Sequence, residues 1–226
     1  HRGGLEVWTE AKLNYFKSDA IYGGETTSGH FGVVRVGADY LVTPGVLVGV
    51  LGQYDQVREK GQHDNNGFNI SGRGFMVGPY AEIQLTNNLY FDAKALWGRS
   101  TNKVSPFNTY VDKFGATRWL TSARLTGTWD FQTSQRGTLN FSPRIEVVYA
   151  SETSKAYLDS NGIDIASQKL GLGRVTVGPE LSYRHVTEAG TRIEPRIAVR
   201  GLWSFGDKLG DDDLLERKAD RFQVEF

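Results

Sequence analysis

The sequence predicts an all-β chain that crosses a membrane as an antiparallel up-and-down β-barrel, with ten strands visible. Three observations carry that fold class. Apolar and polar residues alternate with period two in ten successive segments, and the apolar face of each is free of charge. The connections alternate between long and short. Apolar-face aromatics collect toward the segment ends rather than the middle. Composition agrees: Gly is abundant at 27, aromatics reach 12% and Met occurs once, a mixture that favours strands over helices.

Each segment is about the length of a tilted membrane-crossing strand, ~9–11 residues. The first, 5–16, sets Leu5, Val7, Thr9, Ala11, Leu13 and Tyr15 against Glu6, Trp8, Glu10, Lys12 and Asn14. The second, 31–42, sets Val34, Val36, Ala38, Tyr40 and Val42 against Arg35, Gly37 and Asp39. The third lies in "YLVTPGVLVGVLGQYDQ", where Thr43, Pro44 and Gly45 make a short turn. Its run of Val and Gly is far shorter than the ~20 apolar residues of a spanning helix. Read with period two, Val46, Val48, Val50, Gly52 and Tyr54 oppose Leu47, Gly49, Leu51, Gln53 and Asp55. Leu47 and Leu51 put apolar side chains on the polar face, where they either seal part of the interior or pack on something that passes through it.

The fourth segment sets Phe75, Val77, Pro79, Ala81, Ile83 and Leu85 against Gly74, Gly78, Tyr80 and Glu82. The fifth sets Leu89, Phe91, Ala93, Ala95 and Trp97 against Asp92 and Lys94. The sixth opposes Trp119, Ala123, Leu125, Trp129 and Phe131 to Arg118, Arg124 and Asp130. The seventh opposes Leu139, Phe141, Pro143, Ile145, Val147 and Tyr149 to Arg144 and Glu146. The eighth has Val175, Val177, Pro179, Leu181 and Tyr183 against Arg174, Glu180 and Arg184. The ninth has Ile193, Pro195, Ile197, Val199, Trp203 and Phe205 against Glu194, Arg196 and Arg200. The tenth is Phe222, Val224 and Phe226 against Arg221, Gln223 and Glu225.

Long connections are expected at 17–30, 57–72, 100–117, 150–171 and 206–219, with short turns at 43–45, 86–88, 132–137 and 187–190. A soluble sandwich has no reason to sort its connections by end, whereas a membrane barrel does. Tyr15, Tyr54, Phe75, Trp97, Trp119, Tyr149, Trp203 and Phe205 fall at the long-connection ends. Tyr40, Phe91, Trp129, Phe131, Phe141 and Tyr183 fall near the short turns. Two aromatic girdles around an aliphatic band match the membrane-interface preference of such rings. The competing fold is a soluble ligand-binding barrel with its apolar face inside. "VGADYLVTPG", "VGPYAEIQLTNN" and "VGPELSYRHVTEAG" repeat one strand-into-turn unit, with Gly37, Gly78 and Gly178 relieving crowding on the polar face. No boundary divides residues 1–226, which read as one barrel domain.

Several function classes are disfavoured. Basic and acidic residues balance at 26 each, which argues against a nucleic-acid surface. The chain has no Cys, and His1, His30, His63 and His185 show no ligand spacing, so no metal or cofactor site is expected. His185 and Ser182 sit on opposite faces under period two, which argues against a hydrolytic triad; no catalytic residue is assigned. "HRGGLEVWTEAK" has no apolar core of a secretory signal, so the chain reads as cytosolic or as a mature or excised segment.

The polar face carries the functional expectation. Glu6, Glu10, Lys12, Arg35, Asp39, Glu82, Asp92, Lys94, Arg118, Arg124, Asp130, Arg144, Glu146, Arg174, Glu180, Arg184, Glu194, Arg196 and Arg200 would line the lumen. There they form an ion-pair network, or a conduit that holds a polar segment without gripping it.

"FGVVRVGADYLVTPGVLVGVLGQYDQ" and "GFMVGPYAEIQLTNNLYFDAKALWGRS" resemble the β-domain of autotransporters, the translocator barrels of Gram-negative type V secretion. The resemblance covers most of 5–205. It implies a bacterial outer-membrane barrel, inserted by the barrel assembly machinery, that anchors and exports its own N-terminal passenger. The linker of that passenger would thread the lumen as a helix. An even number of strands would leave both termini periplasmic, and the barrel is expected to be a monomer embedded in outer-membrane lipid with no cofactor. The alternative function is a stand-alone small porin or surface adhesin. Autotransporter barrels usually have twelve strands, so "RFQVEF" reads either as a C-terminal assembly signal or as a tenth strand whose following hairpin is missing.

Overall fold

The computed structural model describes residues 4–18, 26–63, 66–105 and 110–206. The described chain is all β. Its long strands are β1 (Leu5–Ser18), β2 (Thr26–Thr43), β3 (Val46–His63), β4 (Asn66–Thr86), β5 (Leu89–Ser105), β6 (Asp112–Gly127), β8 (Gly137–Ser154) and β11 (Lys169–Val186). The shorter β7 (Trp129–Ser134) continues the crossing of β6 beyond Thr128. One further crossing is built from β12 (Arg192–Ile193), β13 (Arg196–Ala198) and β14 (Gly201–Gly206). Its two interruptions follow from Pro195 and from Pro179 of β11, which stands opposite Val199; neither proline has an N–H to donate. The Pro195 carbonyl still accepts from Tyr183 N at 3.0 Å, and Val199 N donates to the Pro179 carbonyl at 3.1 Å. A separate hairpin, β9 (Tyr157–Leu158) with β10 (Asp164–Ile165), lies within one long connection.

Neighbours in sequence are neighbours in the sheet, all antiparallel, in the order β1-β2-β3-β4-β5-β6-β8-β11 and then β12, β13 and β14. The first nine expected segments each fall in one crossing; the tenth, 221–226, lies outside the described residues. Within the described residues the sheet is open, β1 pairing β2 and β14 pairing β11.

Strand register reproduces the two faces. Leu5 opposes Tyr40, and the row runs on through Val48, Ala81, Ala93, Ala123, Val147 and Val175 to Trp203. One residue along each strand, the row reads Glu6, Asp39, Gly49, Tyr80, Lys94, Ser122, Val148, Arg174 and Ser204. A row that begins at the first residue of β1 and ends at Trp203, toward the far end of the last crossing, is staggered, as tilted barrel strands require.

Burial identifies the inside. The core residues Leu51, Met76 and Leu96 and the polar Asp39, Gln53, Asp55, Ser100 and Ser182 are all buried on the charged face. On the other face Val36, Val50, Trp97, Trp119 and Trp203 are 52–69% exposed. The molecule is therefore inverted relative to a soluble protein, which rarely exposes a contiguous apolar surface of this kind. That inversion excludes the soluble-barrel alternative.

Four long connections are shorter than expected: 17–30 and 100–117 each begin and end as strand. β3 and β4 stay paired up to His63 and Asn66, so "REKGQHDNNG" is mostly strand rather than loop. The stretch 150–171 likewise begins and ends as strand, with β9 and β10 between. Beyond the apolar band both faces are polar, so the alternation that marks a strand disappears while its ladder hydrogen bonds continue. The short turns stay tight, Pro44–Gly45, Asn87–Asn88 and Gln135–Arg136 among them.

Candidate functional site: the charged inner face

Period two delivers charged residues to the inner face; glycines and small side chains decide which of them meet. Arg118 on β6 reaches over β5 and β4 to Asp55 on β3, with Nη1 2.7 and 2.9 Å from the two carboxylate oxygens. The path is clear because Gly74 and Ser100 lie between, and a Cβ at Gly74 would strike the Arg118 guanidinium. Glu152 adds a second acid at 3.4 Å. It is itself held by Asn102 Nδ2, which donates at 2.7 Å, and by Ser100 Oγ at 3.3 Å. A cross-barrel pair with a buried carboxylate fixes the distance between strands that are not neighbours.

Smaller pairs flank it. Arg35 bonds Glu10 at 2.8 Å and donates from Nε to Gln53 at 2.9 Å. Arg124 donates to Asp92 at 2.8 Å on the adjacent strand. Toward the short turns Glu194 gathers Arg184 at 3.3 Å, Arg196 at 2.9 Å and Arg192. Glu180 lies 3.9 Å from Arg196 and 3.8 Å from Arg200. Arg136 and Glu188 pair across two turns at 2.8 Å, with the Glu188 side chain 89% exposed.

Other expected members are not paired with an opposite charge. Among the described residues Glu6, Lys12, Glu82, Lys94, Arg144, Glu146 and Arg174 form no ion pair. Asp130 instead accepts from Asn140 Nδ2 at 2.8 Å. Asp39 accepts from Trp8 Nε1 at 3.0 Å and from the Tyr80 hydroxyl, and Trp8 Nε1 also donates to Tyr80 at 2.7 Å.

Sequence reading placed Trp8, Leu51 and Tyr80 on the inner face but missed the apolar cluster they form with Met76, Leu96 and Leu120. Trp8 and Tyr80 meet edge to face at 6.0 Å, and with Leu120 they pack on Leu51, Met76 and Leu96. Leu51 thus belongs to an inner apolar cluster. Trp8 lies over Gly37, and Tyr80 lies over Gly49, where a Cβ would come within 2.7 Å of its ring. Gly37 is thus crowded by an aromatic side chain, and Gly78 and Gly178 by a neighbouring backbone carbonyl. Asp55 and Glu152 were also absent from the expected network. The alternation already set Asp55 on the polar face, and carrying it past Tyr149 would have placed Glu152 there too.

The expected interface aromatics lie on the outer face. Tyr15, Tyr40, Tyr54, Trp97, Trp119, Trp129, Phe131, Tyr183, Trp203 and Phe205 are exposed, and Phe91 and Tyr149 are half-buried. Tyr54 pairs Phe75, Trp97 pairs Trp119, and Trp129 pairs Phe141 with ring centroids 6.1 Å apart. His185 stacks on Tyr183 on that outer face, while Ser182 is buried on the inner one. Phe114 of β6 stacks on Tyr157, in the long connection after β8, at 5.1 Å. Burial there, with Asp112, Asp159 and Tyr110 nearby, pushes the Tyr157 hydroxyl pKa up.

Comparison with known proteins now bears on this geometry. No curated protein matches the sequence. Among solved structures, the transport unit of the autotransporter AIDA-I from Escherichia coli superposes with a TM-score of 0.69 at 16% identity, covering 88% of this chain and 69% of that one. The β-domain of the Bordetella autotransporter BrkA superposes with a TM-score of 0.63 at 16% identity, covering 90% and 79%. At such identity the likeness establishes the barrel fold. The family model described as "Autotransporter beta-domain" matches residues 7–214. The chain accordingly belongs to the autotransporter β-domain family and is an outer-membrane translocator barrel.

Proposed function

We propose that the barrel anchors and exports an N-terminal passenger whose linker threads the charged lumen, and that it does so without covalent chemistry. The observation that carries this reading is the inversion of the sheet. Its polar side chains are buried on one face and its apolar ones exposed on the other, so the interior solvates a polar segment while the exterior meets lipid. The lumen charges are partly paired and partly unpaired, so a passing segment meets both signs without a single strong grip. The two sets of outer aromatics mark the membrane interfaces, outer-membrane lipid is the surrounding partner, and the barrel assembly machinery inserts the strands. Both termini lie on the periplasmic side, with the short turns, and the long connections face outward.

Planar-bilayer conductance tests the conduit. The barrel alone is expected to conduct, and the barrel joined to an upstream helix-forming linker to conduct several-fold less. Equal conductance with and without the linker would overturn the conduit and favour a stand-alone small porin.

A further inference from the structure

The outer face is not neutral at both ends. Within the spanning strands every described Asp and Glu lies on the inner face, whereas Arg58, Lys60, Arg73, Arg99, Lys103 and Lys113 lie on the outer one. All six are exposed and sit beyond the aromatics of the long-connection end. Arg73 is one outward step past Phe75, and Arg58 two past Tyr54, ~7 and ~13 Å along their strands. At the short-turn end the corresponding outer positions are uncharged, Val42, Val46, Leu85 and Leu89 among them.

Internal stability does not account for this belt. Lys103 stands directly opposite Lys113, a like-charge pair that destabilises a sheet. Among the described residues none of the six forms an ion pair, although the inner face a single residue away holds Asp55, Glu59 and Asp112. Arg58, Arg73 and Lys103 instead surround an open cleft of about 360 Å³ on β3, β4 and β5, floored by Ser71, Gly72 and Thr101. Polar hydroxyls and three cations just beyond an aromatic girdle suit a phosphate that belongs to the membrane.

We infer that this cleft and the basic belt around it bind phosphorylated lipid headgroups of the outer leaflet. The inference rests on the orientation proposed above, with the long connections outward. Electrostatic attraction at the headgroup level and apolar contact of the acyl chains with the band below would hold one lipid by both ends.

Native mass spectrometry of the barrel in phosphatidylcholine nanodiscs containing lipid A tests it. The wild type is expected to retain bound lipid A. The triple variant Arg58→Gln, Arg73→Gln, Lys103→Gln should bind it about a hundredfold more weakly, a loss of three near-surface charges. Its thermal unfolding in phosphatidylcholine alone should match the wild type, which separates binding from folding. Dephosphorylated lipid A should bind both proteins equally weakly. Equal retention of lipid A by the variant, or equal retention of its dephosphorylated form by the wild type, overturns the inference. A wild type that inserts and conducts yet retains no lipid A overturns this inference alone. Failure to insert at all would overturn the translocator reading with it.

Discussion

Gly178→Ala is expected to destabilise the folded barrel by about 2–3 kcal/mol, the cost of overpacking a site that cannot relax. The added Cβ would come within 2.9 Å of the Arg200 Cα and closer still to the Val199 carbonyl oxygen. Both are backbone atoms of the neighbouring strand, so no rotamer change removes the clash. Gly78→Ala meets the same obstacle at the Ala95 carbonyl on β5 and should behave alike. Gly52 is the control: it lies on the outer face with nothing within 4 Å of its would-be Cβ. Alanine there removes unfolded-state entropy and should be neutral or stabilising by up to ~1 kcal/mol. Urea unfolding of refolded barrels in micelles, followed by heat-modifiable gel mobility, reads the difference. Equal losses at positions 52, 78 and 178 would show that the close strand approach is not what these glycines permit.

The second large effect is expected at the cross-barrel ion pair. Asp55 is 6% exposed and depends on Arg118 for its principal charged partner. Arg118→Met strands that carboxylate and should cost about 2–3 kcal/mol. This is below the usual range for a buried pair because 22% of the Arg118 side chain is still open to solvent. Adding Asp55→Asn removes the stranded charge and should recover most of the loss, since an apolar or neutral replacement of a whole pair is often tolerated. Arg136→Ala breaks a pair that is largely in water and should cost no more than ~0.5 kcal/mol. If the double variant is no more stable than Arg118→Met, the penalty comes from lost packing over Gly74 and not from the buried charge.

These two sites also show how far the sequence could be read. The crossings and their faces were legible because burial on one side and lipid on the other impose period two, from Leu5 to Phe205. Gly37, Gly78 and Gly178 were visible as a repeat, but not what crowds them: an indole in one case and neighbouring carbonyls in the others. Such contacts depend on register across strands, which a single chain does not display. The same limit hid the partners of Arg118. Asp55 lay on the correct face of its segment, but only the small residues Gly74 and Ser100 bring it within reach, and Glu152 lay where the alternation had already faded. The Trp8–Tyr80–Asp39 contact was hidden for a different reason. Aromatics on the polar face look like ordinary amphipathic interface residues until the glycines beneath them, Gly37 and Gly49, are placed. Strand length beyond the girdle was the least legible feature, because ladder hydrogen bonds leave no mark on a stretch that is polar on both faces.

The central claim is that this barrel carries a segment of its own chain across the outer membrane. Its most direct test is protease accessibility in intact cells, with an epitope-tagged passenger placed behind a signal peptide and joined upstream of His1 through a helix-forming linker. The account predicts that the tag is cleaved by external protease while the barrel stays folded and heat-modifiable in the outer membrane. A folded, membrane-inserted barrel whose tag stays fully protected until the cells are opened would contradict it.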